Sequence, residues 1–213
     1  MKITHFGHAC LLVETQTARL LFDPGTLSHG FEGLRDLTAV LITHNHADHL
    51  DVDRLRVLLT ENPGAILLAD ADSTPLLDGL NPRAVASGDH IELPGATIDV
   101  LGDTHAPVYR DIPGISNAAY LVDGGAFFHP GDSFVVPEQT VDILALPTSG
   151  PWLKVSDAVE YVTAVAPRIA VPMHEAALAD TATHYGMIDA FSPAETAFTP
   201  LVAAQPTTFE SPR

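Results

Sequence analysis

One cysteine stands among 213 residues, and lysine and arginine together number ten. With Cys10 alone, no disulfide can close within the chain, and nothing points to a redox compartment. Ten cations against 27 Asp and Glu give a net charge of −17. Nucleic acids and anionic lipids are gripped through clustered Lys and Arg, so neither is expected as a partner. Long apolar runs are also missing: none approaches the ~20 residues of a membrane span. The opening Met1–Glu14 reads as strand, and its apolar Ala9–Val13 is too short for a signal-peptide core. The expectation is a cytoplasmic protein acting on a small molecule, with self-association left open. Hydrophobic residues still make up 46% of the chain, enough for one large core, and a single domain over residues 1–213 is expected.

What the chain has instead is many short apolar runs punctuated by Pro and Gly. Lys2–Phe6, Cys10–Glu14 and Arg19–Phe22 read as a meander, and Ala39–Thr43 as a strand covered on both faces. Asp51 can cap a helix that buries Val52, Leu55, Leu58 and Leu59 and stops at Pro63-Gly64. Further strands are predicted at Ala65–Ala69, Arg83–Ala86, Ile91–Leu93 and Thr97–Leu101, with a short helix over Thr74–Gly79. Ala118–Val122 and Ala126–His129 form a hairpin across Asp123-Gly124-Gly125. Ile143–Leu146 and Ile169–Pro172 are strands around a helix over Ser156–Val165. Helical pieces at Leu178–Tyr185 and Met187–Phe191 and a strand near Thr207–Glu210 complete the reading. Hairpins outnumber strict βαβ units, a pattern that two face-to-face sheets with outer helices would bury.

Histidine is in excess, at eleven, and four ligand-type side chains crowd into Thr43-His44-Asn45-His46-Ala47-Asp48-His49, directly after a buried strand. In an extended turn His44 and His46 project to one side and can reach one metal, while Asp48 and His49 can face a second. Three more candidates follow apolar strands: His105, Asp132 in His129-Pro130-Gly131-Asp132-Ser133, and His174 in Val171-Pro172-Met173-His174-Glu175. Ligands at one end of several strands converge on one sheet edge, where a cleft can form.

His-x-His-x-Asp-His followed by a distant His, a Gly-Asp and a final His resembles the metallo-β-lactamase superfamily. The opening Gly7-His8-Ala9-Cys10, Phe22-Asp23-Pro24, His-Pro-Gly-Asp-Ser and Pro-Met-His are similar to its compact bacterial branch, which includes hydrolases like L-ascorbate-6-phosphate lactonase. The resemblance implies an α/β (α+β) fold, a four-layer αββα sandwich of two mixed β-sheets flanked by helices. It also implies two divalent metal ions: His44, His46 and His105 on the first, Asp48, His49 and His174 on the second, and Asp132 bridging. Asp48 and Asp132 would serve catalysis, as a water activated between the metals attacks a lactone, ester, amide or phosphate ester. Five imidazoles and two carboxylates without thiolate suit Zn²⁺ first and admit Mn²⁺ or Fe²⁺.

Two other functions compete. A glyoxalase II-like thioesterase would be expected to show Gly-His-Thr around His105, where this chain has Gly102-Asp103-Thr104-His105-Ala106, and more cations for glutathione carboxylates. A non-catalytic binding protein retaining the fold would be expected to have lost ligands, yet all seven positions are filled.

Around these, Asp23 and His8 are expected to support the metal ligands. Arg110, Lys154, Tyr109 and Trp152 are the candidate substrate contacts, two cations for an anionic group and two rings for an apolar wall. His129 is expected to pack or to support a ligand. His5, His29 and His90 are expected outside the site, His184 in a pocket wall or a surface turn, and Cys10 as a small core residue in a strand.

Overall fold

The computed structural model describes residues 1–110, 112 and 114–210. The chain begins with β1 (Lys2–His5), β2 (Leu11–Glu14), β3 (Arg19–Phe22) and β4 (Ala39–Ile42), then α1 (Val52–Thr60), β5 (Ile66–Ala69) and β6 (Arg83–Ala84). It continues through β7 (His90–Leu93), β8 (Ala96–Leu101), β9 (Ala119–Val122), β10 (Phe127–His129) and β11 (Ile143–Pro147). After α2 (Val155–Val165) come β12 (Ile169–Met173), α3 (Thr181–Phe191), β13 (Ala197–Phe198) and β14 (Thr207–Thr208). Two seven-stranded mixed sheets result, ordered β14-β1-β2-β3-β4-β5-β6 and β13-β12-β11-β10-β9-β8-β7.

Alternation along the strands explains the layers. In β4, Ala39 and Leu41 point into the space between the sheets, where they join Leu11, Leu20 and Phe22 against Ile98, Tyr120, Phe127 and Val171. Val40 and Ile42 point the other way and pack under Leu55 and Leu58 of α1. The second sheet is covered likewise: Leu121, Phe128, Leu144 and Leu146 lie against Ala158, Tyr161 and Val162 of α2 and Ile188 of α3. A strand buried on both faces has no polar alternation, which is why AVLI reads as an unbroken apolar run. The architecture is the four-layer αββα sandwich.

Several expected elements differ in detail. Cys10 lies in the turn before β2, where its peptide N donates to Gly7 O and its carbonyl accepts from Phe6 N. It is fully buried, and burial, reinforced by the Asp23 carboxylate, pushes its thiol pKa well up. The strand expected over Arg83–Ala86 is reduced to Arg83–Ala84. The two helical pieces near the C-terminus are one helix that runs through Gly186. The two-residue strand β13 was not expected; it pairs with β12 at Ile169 and Ala170.

Strands β3 and β4 run parallel, as do β10, β11 and β12, so their C-terminal ends open on one edge of each sheet. There the loop after β3 lies against the turn after β4. Thr26 N donates to Ala47 O at 2.8 Å, and Asp51 N to Pro24 O at 3.1 Å. Arg54 of α1 pins the same loop, donating to Ser28 O at 2.7 Å and Gly25 O at 3.2 Å while its guanidinium stacks 4.3 Å over Phe31. Gly25 is the point of closest approach: a Cβ there would sit 1.9 Å from Asp48 O and 2.1 Å from Asp48 C. Gly25→Ala is therefore expected to push the Asp48–His49 turn outward and to cost about 2 kcal/mol or more, the upper range of overpacking. Urea unfolding read by circular dichroism measures this, and an unchanged midpoint would contradict the close approach.

Candidate metal centre

Eight His and Asp side chains meet at this edge, in two groups of four. His44, His46, His105 and Asp132 form one, and His8, Asp48, His49 and His174 the other; in each, one donor atom per residue lies within 4.8 Å of the rest. All seven ligand candidates from the sequence are brought together, and His8 joins the second group.

The local backbone explains how. His8, Asp23 and His174 all have positive φ (54°, 43° and 71°), a left-handed conformation that costs a non-glycine residue roughly 1–3 kcal/mol. Each is held there by neighbours. His8 N donates to Glu175 Oε1 at 2.9 Å, and His8 O accepts from His174 N at 3.0 Å and from His5 Nε2 at 2.9 Å. These bonds tie the β1–β2 turn of the first sheet to the end of β12 in the second.

Hydrogen bonds on the far side of the rings fix which nitrogen faces inward. A carbonyl only accepts, so His105 Nδ1, 2.5 Å from Ala106 O, carries the proton and Nε2 is left with its lone pair. Asp23 is fully buried and accepts from Thr43 N at 2.8 Å, Thr43 Oγ1 at 2.7 Å and His49 Nδ1 at 2.7 Å. Since Thr43 Oγ1 spends its proton on Asp23, it accepts from His44 Nδ1 at 3.0 Å, freeing His44 Nε2 as well. This is the pattern of a carboxylate behind metal-binding imidazoles.

Three atoms of the two groups have no partner. His105 Nε2, Asp132 Oδ1 and His8 Nδ1 are buried and make no hydrogen bond. Asp132 Oδ1 lies 2.8 Å from His174 Nε2 and 3.1 Å from His49 Nε2, yet neither approach has hydrogen-bond angles. His49 Nε2 and His174 Nε2 face each other at 3.0 Å, as do His44 Nε2 and His46 Nδ1 at 3.1 Å. Buried polar atoms without partners, crowded against imidazole nitrogens that bond only to one another, fit a cation between them. Asp132 stands at the centre: its Oδ2 is 3.3 Å from His105 Nε2 and 3.9 Å from His44 Nε2, so its two oxygens face different groups.

The electrostatics follow the same division. Burial would push the Asp132 carboxyl up, but the His174 and His49 imidazoles hold it well below the usual range. For Asp48, burial again opposes, and the hydrogen bond from His8 Nε2 at 2.9 Å with the nearby imidazoles prevails, keeping it ionised. Burial depresses His44 strongly and His8 more mildly. His49 goes the other way: burial is outweighed by Asp132 and Asp23, and its pKa rises well above the ordinary value.

The expected substrate contacts are distributed differently. Trp152 lines the cleft, with its ring 5.6 Å from that of His105, and also donates Nε1–H to Asp132 Oδ2 at 2.9 Å. Arg110 is exposed and stacks 4.9 Å over Tyr109. Lys154 is exposed at the N-terminus of α2, where its peptide N donates to Asp157. Neither cation is among the described residues lining the cleft; each is engaged with its own neighbourhood in sequence. His129 packs, stacked 5.2 Å from Phe22 and donating to Ala9 O. His184 donates to Thr148 O at 2.6 Å, and His90 and His29 are exposed. Glu175, Thr43 and Asn117, whose Oδ1 accepts from Asp132 N at 3.0 Å, were not singled out from sequence. Glu175 and Thr43 adjoin the ligand motifs; Asn117 carries no sequence signal.

The model of the beta-lactamase superfamily domain matches residues 2–174, a span that begins before His8 and ends on His174. The chain belongs to the metallo-β-lactamase superfamily. Within this superfamily it is similar to Protein Rv0786c of Mycobacterium tuberculosis, 49% identical over 88% of this chain and 91% of the relative. It is also similar to a UPF0173 metal-dependent hydrolase of Alkaliphilus metalliredigens, 25% identical over 82% of this chain and 85% of the relative. Among solved structures, Igni18, a metallo hydrolase from the archaeon Ignicoccus hospitalis, shares the fold with a TM-score of 0.77 at 21% identity, covering 99% of both chains.

Proposed function

We propose that this superfamily member is a metal-dependent hydrolase whose two groups of donors each bind one divalent cation, bridged by Asp132. The observation that carries this reading is the convergence of two groups of four donors, some of their buried atoms without partners, around a carboxylate whose oxygens face different groups. Relatives named as metal-dependent hydrolases support it. His44, His46 and His105 would hold the first ion and Asp48, His49 and His174 the second. Zn²⁺ suits the nitrogen-rich set best, with Mn²⁺ and Fe²⁺ as alternatives. Such an ion pair supplies Lewis acidity and a water of lowered pKa.

The protein's part is to hold the geometry. Asp23 and Ala106 O fix the imidazole tautomers so that lone pairs point inward. Asp48 receives a hydrogen bond on Oδ2 from His8, and its carboxylate, held ionised, would orient an attacking water. Trp152 fixes the tilt of Asp132 through Nε1–H. The Pro151-Trp152 wall limits solvent access on one side, while exposed His46 marks the open side. The substrate would be a small lactone, ester, amide or phosphate ester entering a cleft of about 190 Å³.

Untagged protein analysed by plasma mass spectrometry should carry close to two metal equivalents. Lactone, p-nitrophenyl ester and phosphodiester hydrolysis should vanish on chelation and return on reconstitution with Zn²⁺ or Mn²⁺. A protein that takes up no metal from Zn²⁺, Mn²⁺ or Fe²⁺ would overturn the proposal.

A further inference from the structure

The mouth of the cleft is apolar where a site for phosphorylated or acidic substrates would carry cations. Ten large apolar side chains are exposed among the described residues. Three of them, Val108, Tyr109 and Ile112, share the segment between β8 and β9, and a fourth, Leu27, follows β3. Leu27 and Val108 line the cleft themselves, 42% and 55% exposed, and approach it from different sheets. Pro151, Trp152 and Ala177 continue the apolar lining. Among the described lining residues none is Lys or Arg, and the acidic ones, Asp48 and Asp132, sit with the metal donors. The nearest sequence candidate for an anion contact, Arg110, is stacked on Tyr109. An exposed apolar cluster at the rim of a polar site marks where a ligand's apolar part is covered.

We propose that the substrate joins its hydrolysable group to an uncharged, apolar tail, which lies between Leu27 and Val108 and against Trp152. The inference rests on the hydrolase reading for the reacting end; the tail itself is recognised by burial alone. A substrate with a carboxylate or phosphate at that end meets no cation among the described lining residues, in a protein of net charge −17.

Trp152 is the only tryptophan, so its fluorescence reports occupancy of the cleft without turnover. The probes are alkyl hydroxamates, from acetohydroxamate to octanohydroxamate, titrated into the zinc-reconstituted protein, with a hydroxamate ending in a carboxylate as the charged comparison. The dissociation constant should fall about two- to fourfold per added methylene until the tail outgrows the rim. The carboxylate-ended probe should bind at least tenfold more weakly than its neutral counterpart of equal length. Leu27→Ser with Val108→Ser, both at exposed positions, should flatten the series while acetohydroxamate binding stays unchanged. A flat series in the wild type, preference for the charged probe, or no binding of any probe to the metal-loaded protein overturns the proposal. A steep series on a metal-loaded protein that hydrolyses no ester, lactone or phosphodiester keeps the apolar tail and removes the hydrolase reading.

Discussion

Asp132→Ala is expected to leave at most one metal equivalent bound and to lower kcat/KM by about 10³-fold or more, the loss that goes with several kcal/mol of metal-derived stabilisation. Asp132 faces both donor groups, with Oδ1 within 3.1 Å of His49 and His174 and Oδ2 3.3 Å from His105. Without its charge, the imidazoles around it have no shared anion. The alanine variant also strips Trp152 Nε1 of its acceptor, so a loss of fold must be separated from a loss of metal. Asp132→Asn separates them: the amide oxygen can still accept from Trp152, but the bridging charge is gone. The asparagine variant should keep the wild-type circular dichroism spectrum and still lose metal. Mass-spectrometric metal content with steady-state kinetics on both variants decides the point. Two retained equivalents in Asp132→Ala would remove the bridging role.

Metal removal is the second large effect. A ligand present at 1,000 times its dissociation constant stabilises the state it binds by about 4 kcal/mol. For a chain of this size each kcal/mol moves Tm by about 2–4 °C. Chelation of one such site should therefore lower Tm by about 8–16 °C, and of both by more. The stripped site also leaves His105 Nε2 and Asp132 Oδ1 buried without partners. Differential scanning calorimetry with and without chelator, followed by metal add-back, measures the shift. A change under about 2 °C would mean that the donor groups hold no tightly bound ion.

The donors could be read from sequence because each follows a strand end. His44 to His49 come directly after β4, and Asp132 and His174 come within three residues of β10 and β12, so topology alone carries them to one edge. His8 was harder to place. Its turn reaches the site through a left-handed residue and through bonds to Asp48 and Glu175, 40 and 167 residues away, and no local pattern records such distances. The substrate contacts were less legible. Arg110 and Lys154 were read as scarce cations in segments expected to border the cleft, but neither scarcity nor segment gives a side chain its direction: one stacks on its neighbour and the other sits at a helix start. Trp152 was expected as an apolar wall, and its ring also uses its one polar atom on Asp132. Gly186, a poor helix former, separates the two helical pieces read from sequence, whereas the packing of Ile188 against the second sheet favours one helix.

The contact between His49 and His174 spans 125 residues. At the usual pace of synthesis, about 5–20 residues per second, the first histidines wait about 6–25 s on the ribosome for the last. Until the last of them is made the His44–His49 turn is an open chelate without His174, and for about the first two-thirds of the wait without Asp132 as well. Copper binds such a partial nitrogen set more tightly than zinc or manganese does. On the proposed ligand set, an ion caught early by the first histidines meets the rest of its ligands only when the second sheet docks, so protein made in copper-rich cells should carry more of the wrong ion than protein refolded in zinc.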